Sequence, residues 1–492
     1  MKDFAQYKRM VKFLFSALIV SLETMVYGYV WINYYNEILD FPFWRRGNWL
    51  IIVLYAMLLC FFSYTYGGFK VGFFRRWNVI YSQILSLFFT NLITYMQIAL
   101  IDKKFHSVAI IGAVFGIQIA IAVIWAFICQ FLYAKMYPQR SLLLIYGDRP
   151  TYQLMQKIGT REDRFQITNI IHYKQSEEVF EELVDRYDGI IIGDIPAHER
   201  NQLLKLCFGK KIRTYTSPKI SDIINLSSEY MNMFDTPLLL SRNEGLQVEQ
   251  LFLKRITDIV VSAIGLVMTA PFFLVIAIMI KTTDRGPVFY KQTRLTKDRQ
   301  EFEIYKFRTM IMDAEKDGKA RLASKNDDRI LPVGKFLRAT RLDELPQLIN
   351  ILKGERSLVG PRPERPELAV NIEEELPEFA CRLKVKAGLT GYAQIYGKYN
   401  TTSYDKLKLD LTYIRNYSYF LDWKLMLMTP KIMLLKESTE GVGSEEDIIR
   451  QQQIAAARIE IQPVEEMAAA EMPEAVEMAA AKEIQPSEEE NK

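Results

Sequence analysis

Three long stretches without a single Asp, Glu, Lys or Arg lie within the first 139 residues of the chain. They cover residues 47–69, 78–101 and 107–134 and contain 23, 24 and 28 residues. A helix that crosses a membrane needs about 20 predominantly apolar residues. A fourth apolar stretch, residues 13–30, is interrupted by Glu23, and no small-residue cleavage site of a signal peptide follows it. We therefore predict four transmembrane helices over residues 1–139 rather than four buried helices of a soluble core.

The basic residues between these stretches indicate how the helices are oriented, because short loops rich in Lys and Arg stay in the cytoplasm. Such residues precede the first stretch, separate the second from the third and follow the fourth: Lys2, Lys8, Arg9, Lys12, Lys70, Arg75, Arg76, Lys135 and Arg140. We predict that both ends of this bundle face the cytoplasm. For Glu23, a function within the membrane, pairing inside the bundle and a place near an interface all stay open.

Residues 140–246 have the pattern of a soluble α/β domain. Short apolar runs at residues 141–147, 165–173 and 189–195 alternate with helical patterns, which predicts βαβ units and a parallel sheet. A dinucleotide site would require a glycine-rich turn after the first strand, because only glycine lets the backbone approach a pyrophosphate closely. That turn contains Gly147 alone. We predict a degenerate Rossmann-like domain with a regulatory or scaffolding role.

The overall charge balance excludes one class of partner and hides an asymmetry. The chain has 62 Lys and Arg against 58 Asp and Glu, which argues against a nucleic-acid-binding protein. Residues 445–492 contain 13 acidic and 4 basic residues in a repetitive sequence, so we predict a disordered acidic tail after a basic body. Four scattered cysteines give no zinc-ligand spacing. No histidine follows His198, so chemistry in the C-terminal half must use other groups.

A fifth apolar stretch, residues 256–280, differs from the first four. Pro271 lies near its middle, where proline removes a backbone hydrogen bond and bends a helix. Basic residues flank both ends, which indicates that both ends face the cytoplasm. We predict a re-entrant helix over about residues 254–281 that is broken at Pro271 and dips into the inner leaflet. The alternative is an ordinary fifth span, which would place the following domain outside the cell.

The segment that follows is strongly basic, with 20 Lys and Arg against 13 Asp and Glu over residues 281–366. Arginine clusters suit phosphate groups, although anionic lipid headgroups also explain part of this charge. Adjacent carboxylates, Asp343 and Glu344, come just before a predicted helix that begins near Pro346. One carboxylate could attack phosphorus while the other binds a divalent cation, and such phosphoryl transfer needs no histidine. A favourable interaction with the helix dipole is the simpler explanation of the pair.

The run from Lys254 to Gly397 closely resembles the catalytic domain of bacterial polyprenyl-phosphate phosphoglycosyl transferases of the monotopic superfamily. The matching blocks are Lys254-Arg255 with Asp258, GPVFYKQ at residues 286–292 with Arg294, KFRTM at 306–310, Asp328-Arg329, Leu337-Arg338, LDELPQ at 342–347, Lys353-Gly354, SLVGPRP at 357–363 and GLTGYAQ at 388–394. The first 246 residues resemble the large, multi-pass branch that initiates exopolysaccharide, capsule or O-antigen assembly. The resemblance covers all of the chain except the tail.

The resemblance implies a reaction and residues that carry it out. Asp343 would attack the β-phosphate of a UDP-sugar, giving a phosphoglycosyl-aspartyl intermediate and UMP. Polyprenyl phosphate, such as undecaprenyl phosphate, would then take the sugar phosphate. Glu344, with Asp343, would hold Mg²⁺ or Mn²⁺. The candidate phosphate- or substrate-binding residues are Lys306, Arg308, Arg338, Gln347 and Arg362.

The sequence departs from the family pattern at a few positions around these blocks. Ala387 stands where Pro is usual, Arg341 where a small polar residue is common, and Leu295 and Thr296 where Val and Gly are common. These positions lie beside the carboxylate pair rather than in it, so they do not bear on the predicted activity. We expect them to tune loop geometry or sugar preference.

The predicted fold class is a membrane protein of α plus α/β type. It combines a four-helix transmembrane bundle (1–139), a Rossmann-like domain (140–246), a mainly helical catalytic domain with a re-entrant helix (247–444) and the tail (445–492). Two other functions stay open, a membrane glycosyltransferase that releases UDP and a non-catalytic scaffold, although residues 250–440 contain no DxD metal motif of the former. The predicted partners are a UDP-sugar, the lipid phosphate and the membrane, with a homodimer and downstream glycosyltransferases left open.

Overall fold

The structure is a computed structural model that describes residues 6–147, 152–159, 161, 163–175, 186–233, 235–241, 245–311, 329–397 and 401–434. The described chain is mostly helical, with several apolar helices long enough to cross a membrane and a few small sheets. Its contacts divide it into two compact units. The larger comprises Met1–Arg140, Arg161–Gln166 and Thr216–Val442, and the smaller is built from the described parts of Ser141–Thr160 and Ile167–Tyr215. The predicted acidic tail lies outside the described residues.

Four helices in the first 140 residues have the length and composition of membrane spans, as predicted. They are α1 (Lys8–Val30, extended by a π-helical turn Trp31–Tyr35 and a short helix Asn36–Ile38), α2 (Arg45–Tyr66), α3 (Arg76–Asp102) and α4 (Val108–Met136). Helix α1 packs on α2 and α4, and α3 packs on both α2 and α4. The rings of Tyr27 on α1 and Tyr55 on α2 stack with their centroids 4.0 Å apart.

Polar side chains join these helices in their middle. Tyr55 Oη donates to Asn91 Oδ1 (3.1 Å), Asn91 Nδ2 donates to Gln118 Oε1 (2.8 Å), and Gln118 Nε2 donates to the Glu23 carbonyl (3.1 Å). Glu23 is fully buried, so its side chain faces the interior of the bundle and not a water interface. Neither carboxylate oxygen of Glu23 accepts a hydrogen bond from the described part of the chain.

The smaller unit contains a four-stranded sheet. Strands β1 (Arg140–Tyr146), β2 (Phe165–His172), β3 (Gly189–Ile192) and β4 (Thr214–Thr216) are arranged in the order β2-β1-β3-β4, with helices α5 (Tyr152–Gly159) and α6 (Ala197–Gly209) between them in sequence. β1 and β3 pair in parallel, with Leu142 opposite Gly189, in agreement with the predicted parallel pairing. The predicted turn after Gly147 lies outside the described residues.

The elements after residue 216 contain the sequence blocks on which the family resemblance rests. They are α7 (Ile220–Asn225), the antiparallel pair β5 (Glu229–Met233) and β6 (Thr236–Leu240), α8 (Val248–Asp284), the antiparallel pair β7 (Phe289–Leu295) and β8 (Glu301–Phe307), α9 (Pro332–Thr340), α10 (Gln347–Lys353), β9 (Ser357–Val359), α11 (Pro366–Glu375), β10 (Gly388–Thr390), α12 (Tyr392–Tyr396), α13 (Ser403–Arg415) and α14 (Tyr419–Leu434). β9 and β10 pair in parallel. Short 3₁₀ turns occur at Tyr173–Gln175, Lys297–Arg299, Leu342–Glu344 and Pro377–Lys384.

Helix α8 is the apolar element for which we predicted a re-entrant course. The helix is continuous through Pro271, so this residue does not break it as predicted, and a bend at Pro271 stays a prediction. Near its start, Lys254 Nζ pairs with Asp422 (2.5 Å). Near its end, Ile276 and Ile280 belong to a buried cluster formed with β8 and α9. Both ends of α8 therefore contact the same folded unit.

The outward face of α8 between these anchors is apolar. Six large hydrophobic side chains between the anchors are more than half exposed: Ile264, Val267, Met268, Phe272, Leu274 and Val275. A contiguous apolar face of this size on a folded protein is typical of a membrane or protein contact.

Candidate active site

The two adjacent carboxylates lie in a tight turn between α9 and α10. α9 ends at Thr340, and Arg341 adopts a left-handed conformation (φ 58°) that is uncommon for a residue with a side chain. The next three residues form a single 3₁₀ turn before Pro346. Leu342 and Leu345 pack against a buried cluster that contains Phe307 and Leu337. These apolar anchors fix the backbone of Asp343 and Glu344, which lie between them.

Glu344 is surrounded by cations. Its Oε1 lies 3.2 Å from Lys306 Nζ, 3.2 Å from an Arg362 nitrogen and 3.9 Å from Arg341 Nη1. Burial alone would raise the pKa of this carboxyl, but Lys306 and Arg362 more than offset it and hold the pKa well below its usual range. Glu344 therefore gathers three basic side chains from separate segments, and these cations favour its carboxylate form.

Asp343 has a different environment. Its side chain is buried, and no described residue donates a hydrogen bond to its carboxylate. Burial raises the pKa of Asp343 and the neighbouring Glu344 adds to this, while Lys306 and Arg338 act in the opposite direction. Adjacent carboxyl groups whose environments push their pKa values apart have separate roles in many active sites. Here the free carboxyl is Asp343 and the paired one is Glu344.

A second set of buried ions holds Arg362 in place. Arg382 donates to the Arg362 carbonyl (2.8 Å) and pairs with Asp410 (2.7 Å). Glu364 pairs with Arg382 (3.3 Å) and with Lys406. Although burial would raise the pKa of Glu364, these two cations lower it to about 2. The segment that carries Arg362 is thus anchored on both sides by buried charge.

The backbone of this segment also packs directly on β10. Gly360 donates to the Thr390 carbonyl (2.9 Å), and Gly388 donates to the Pro361 carbonyl (2.9 Å). A Cβ at Gly360 would lie 2.4 Å from the Lys386 carbonyl oxygen, and one at Gly388 would lie 2.0 Å from the Gly360 nitrogen. Only glycine permits this approach. The two glycines of the sequence blocks therefore serve to bring Arg362 to the carboxylate pair.

The remaining predicted site residues lie around this centre. Arg308 is buried against Gly286 and its Nε donates to the Pro287 carbonyl (2.8 Å). Arg338 Nε donates to Thr309 Oγ1 (3.0 Å). Gln347 is fully buried and accepts a hydrogen bond from Arg356. The structure thus brings Lys306 and Arg362 directly onto Glu344 and gives Arg308, Arg338 and Gln347 protein partners of their own.

Sequence reasoning missed Arg356 and the residues that anchor Arg362. Arg356 is 2% exposed and donates to Gln347 and to the Gly388 carbonyl. Burial lowers its pKa to about 9, against the opposing effect of Glu344. In the sequence it follows Lys353, Gly354 and Glu355, a run typical of an exposed turn. The spacing of Lys406 and Asp410, four residues apart on α13, was the available signal for the second set of ions.

The carboxylate pair supplies the oxygen donors that a divalent cation prefers. Mg²⁺ is usually held by one or two carboxylates together with phosphates of a substrate. Within the described ranges, no group of three or more His, Cys, Asp or Glu residues is placed to hold a metal ion. A Mg²⁺ or Mn²⁺ ion held by Asp343 and Glu344 together with phosphate oxygens of a ligand thus stays a prediction.

Comparison with known proteins identifies the family. A sequence model described as "Bacterial sugar transferase" matches residues 249–436. The "Exopolysaccharide production protein PSS" of Rhizobium leguminosarum bv. phaseoli is 38% identical over 202 residues, which are 39% of this chain and 98% of that protein. The chain belongs to the bacterial sugar transferase family. The match contains every residue of the site described above.

Larger members of the family are similar over part of their length. This chain is 41% identical over 202 residues to the "UDP-glucose:undecaprenyl-phosphate glucose-1-phosphate transferase" of Klebsiella pneumoniae, covering 40% of this chain and 42% of the relative. It is 38% identical over 186 residues to the "UDP-N-acetylgalactosamine-undecaprenyl-phosphate N-acetylgalactosaminephosphotransferase" of Aeromonas hydrophila, covering 37% and 44%. The chain thus spans less than half of these two relatives, and their names specify different sugars.

Proposed function

We propose that this protein transfers a sugar 1-phosphate from a UDP-sugar to polyprenyl phosphate, such as undecaprenyl phosphate, and releases UMP. This would be the first membrane step in the assembly of an exopolysaccharide, capsule or O-antigen. The observation that carries the proposal is the contrast between the two adjacent carboxyls. Glu344 is neutralised by Lys306 and Arg362, whereas Asp343 accepts no hydrogen bond from the described residues. Both relatives above are named for this transfer.

The first half-reaction uses Asp343 as the nucleophile. One of its carboxylate oxygens forms a bond to the β-phosphorus of the UDP-sugar. The bond from that phosphorus to the bridging oxygen breaks, and UMP leaves with the electron pair. Lys306 and Arg362 lie close enough to the pair to bind the diphosphate, and such preorganised charge is a major source of catalysis in phosphoryl transfer. Arg308 and Arg338 add positive charge around these two cations. Gln347 and Arg356, which are hydrogen-bonded to each other, support the site.

The second half-reaction returns the enzyme to its starting state. An oxygen of the polyprenyl phosphate attacks the same phosphorus, the bond to Asp343 breaks, and the carboxylate is restored. Asp343 and Glu344 would hold Mg²⁺ or Mn²⁺, and the bound cation would neutralise charge on the diphosphate. Lys306 and Arg362 pair with Glu344. They can therefore stay in place while the Asp343 carboxylate forms and then loses its bond to phosphorus.

The course of α8 supports a catalytic domain on the membrane surface. A helix of 37 residues is about 55 Å long, more than enough to cross a hydrocarbon core of about 30 Å. Both of its ends nevertheless contact the same folded unit. We infer that α8 enters one leaflet and places the site at the headgroup level, where a lipid phosphate and a soluble nucleotide sugar can both reach it.

The first four helices indicate how the protein is placed in the membrane. We propose that they form a transmembrane bundle in the bacterial inner membrane and that the smaller unit is a Rossmann-like domain. The loop between α2 and α3 carries Lys70, Arg75 and Arg76, and α14 lies against the adjoining ends of these helices. Positive loops face the cytoplasm. The catalytic domain is therefore proposed to face the cytoplasm as well. A homodimer and contacts with downstream glycosyltransferases stay predictions.

A topology measurement checks this orientation. In a variant whose four native cysteines are replaced by serine, we expect Gln300→Cys, an exposed site near Lys297, to resist an impermeant maleimide in intact cells and to react after permeabilisation. Phe41→Cys is the control, because its loop lies at the other end of the bundle and its side chain is 89% exposed. It should react in intact cells. Labelling of Gln300→Cys in intact cells would overturn the orientation.

The pH dependence of the first half-reaction follows from the pKa shift of Asp343. Attack requires the carboxylate form, and burial raises the pKa of Asp343 above its ordinary value of about 3.9. The rate of UMP release should therefore fall as the pH decreases through that raised pKa. Lys306 lowers the pKa of Asp343, so Lys306→Met should move this acid limb to higher pH. Single-turnover UMP release measured across pH tests both statements, and an acid limb that moves to lower pH in the variant would contradict them.

The two other functions make different products. A glycosyltransferase that passes only the sugar would release UDP, and a scaffold would release neither nucleotide. Membranes that contain the protein, incubated with Mg²⁺, polyprenyl phosphate and a panel of UDP-sugars, distinguish the three by the nucleotide formed. We expect UMP with at least one sugar. The same panel identifies the sugar, which the relatives do not determine because they act on different ones by name.

A further inference from the structure

A buried lysine of the last described helix contacts the membrane helices. Lys431 lies on α14 and is 5% exposed. Its Nζ donates to the Tyr66 carbonyl (2.8 Å) and to Ser82 Oγ (2.7 Å), and it lies 4.8 Å from the centre of the Phe74 ring. These three partners belong to the end of α2, the start of α3 and the loop between them.

The two oxygen atoms that Lys431 contacts are both suited to accept hydrogen bonds from an ammonium group. Tyr66 is the last residue of α2, and the chain leaves the helix through Gly67 in a left-handed conformation (φ 77°). Carbonyls in the last turn of a helix lack partners within the helix and carry the negative end of its dipole. Ser82 Oγ donates to the Asn78 carbonyl, which leaves its lone pairs for the ammonium. Lys431 thus caps the C-terminal end of a membrane helix from another part of the chain.

A series of direct contacts continues from Lys431 to the candidate active site. Two residues earlier on α14, Thr429 Oγ1 donates to Thr390 Oγ1 on β10 (2.8 Å). The Thr390 carbonyl accepts from Gly360 N (2.9 Å), and Gly360 begins the short segment that carries Arg362. Arg362 in turn pairs with Glu344 (3.2 Å). Each contact in the series is a hydrogen bond or an ion pair.

We propose that Lys431 is a positioning residue that docks the catalytic domain onto the transmembrane bundle and sets the height and orientation of the active site relative to the bilayer. This inference rests on the proposed function. The nucleotide sugar arrives from water, but the polyprenyl phosphate is held in the membrane. Docking should therefore matter far more for the second half-reaction than for the first.

The physical contact is tested without any activity. In the full chain with its native cysteines replaced, Lys70→Cys in the loop between α2 and α3 combined with Lys424→Cys on α14 leaves the Lys431 contact intact and should form an intramolecular cross-link with a short bis-maleimide. Phe105→Cys combined with Lys424→Cys is the matched control, because Phe105 lies in the loop between α3 and α4, at the other end of the bundle. The control should not cross-link. Absence of the cross-link in the first pair would overturn the proposal, whatever the enzyme does.

The role of the contact is tested by comparing the two half-reactions. In a bilayer of defined composition, Lys431→Met should leave single-turnover UMP release within about twofold of wild type. Transfer to full-length polyprenyl phosphate should fall about tenfold, since misplacement of a reacting group by about 1 Å can cost about 100-fold. Lys431→Arg, which keeps the charge and the donors, should restore most of the transfer. Equal loss in both half-reactions, or full transfer by Lys431→Met, would contradict a positioning role.

Two further readouts separate this proposal from its alternatives. Thermal unfolding of Lys431→Met identifies a variant that fails to fold, in which case Lys431→Gln, which is neutral but keeps a donor for the Tyr66 carbonyl, replaces it in the same assay. If the wild-type enzyme releases no UMP with any sugar, the proposed function fails, while the cross-link still reports whether the domain docks on the bundle.

Discussion

Replacement of Asp343 by asparagine should abolish UMP release, with a loss of at least about 10³-fold in rate. The variant keeps the size of the side chain and the neighbouring cations, but an amide oxygen is a very poor nucleophile toward phosphorus. Because Asp343 accepts no hydrogen bond from the described residues, asparagine should enter the same site without losing a contact. The measurement is UMP formation by purified protein with the active UDP-sugar, with and without polyprenyl phosphate.

A matched control is available on a surface turn of the same domain. Asp298 is an aspartate with a side chain that is 68% exposed and a left-handed backbone (φ 54°), a conformation that asparagine also tolerates. Asp298→Asn should retain wild-type activity. Full UMP release by Asp343→Asn would contradict the proposal that Asp343 is the nucleophile. It would also contradict a role for this turn in the reaction.

Asp410→Ala should be the most destabilising single change among the ions that anchor Arg362. Asp410 is 1% exposed and pairs with Arg382, which is 2% exposed. Removing Asp410 leaves the buried guanidinium with only the longer ion-pair contact to Glu364 (3.3 Å), and loss of one partner of a buried ion pair costs about 3–5 kcal/mol. For a domain of this size the midpoint of thermal unfolding should fall by roughly 10 °C. Activity should fall with it, because Arg382 also holds the Arg362 carbonyl.

The control for this prediction is an exposed ion pair on the β7–β8 hairpin. Lys291 and Glu303 lie 2.9 Å apart, and both side chains are more than half exposed. Exposed pairs contribute about 0–1 kcal/mol, so Glu303→Ala should change the midpoint by less than a few degrees. Thermal unfolding of both variants in the same detergent or nanodisc gives the comparison. Equal shifts would contradict the assignment of Asp410 to a buried network.

The membrane helices could be predicted from the sequence because the signal is local. Each charge-free run lies within one helix, and the observed bounds of α2, α3 and α4 enclose or closely match residues 47–69, 78–101 and 107–134. The strands that begin near residues 141, 165 and 189 were predicted for the same reason, since short β-branched runs between turns carry their own signal.

The geometry of the site could be predicted only in part. The carboxylate pair and its basic surroundings were visible in the sequence, but the choice of partners was not. Lys306 is 38 residues from Glu344 in sequence, and Arg362 is 18 residues away. Which cation reaches which carboxylate depends on how β8 and the segment after β9 fold onto the turn. Arg308, two residues from Lys306, reaches instead the Pro287 carbonyl.

Charged residues that are buried by contacts with distant parts of the sequence could not be predicted from sequence patterns. Arg356 resembles an exposed turn residue, and its burial follows from the approach of β10. Lys431 is separated from Tyr66 by 365 residues, so no local periodicity connects them. Polar residues that are buried through such contacts carry no hydrophobic pattern, and only the packed structure reveals them.

The central claim is that Asp343 carries the sugar phosphate between the two substrates. The most direct measurement is mass spectrometry of the protein after brief incubation with the active UDP-sugar and Mg²⁺ in the absence of polyprenyl phosphate. We expect the peptide that contains Asp343 to gain the mass of one sugar phosphate, with UMP released in the same amount. We also expect that mass to disappear when polyprenyl phosphate is added. An unmodified peptide together with nucleotide release that requires the lipid phosphate would contradict the account.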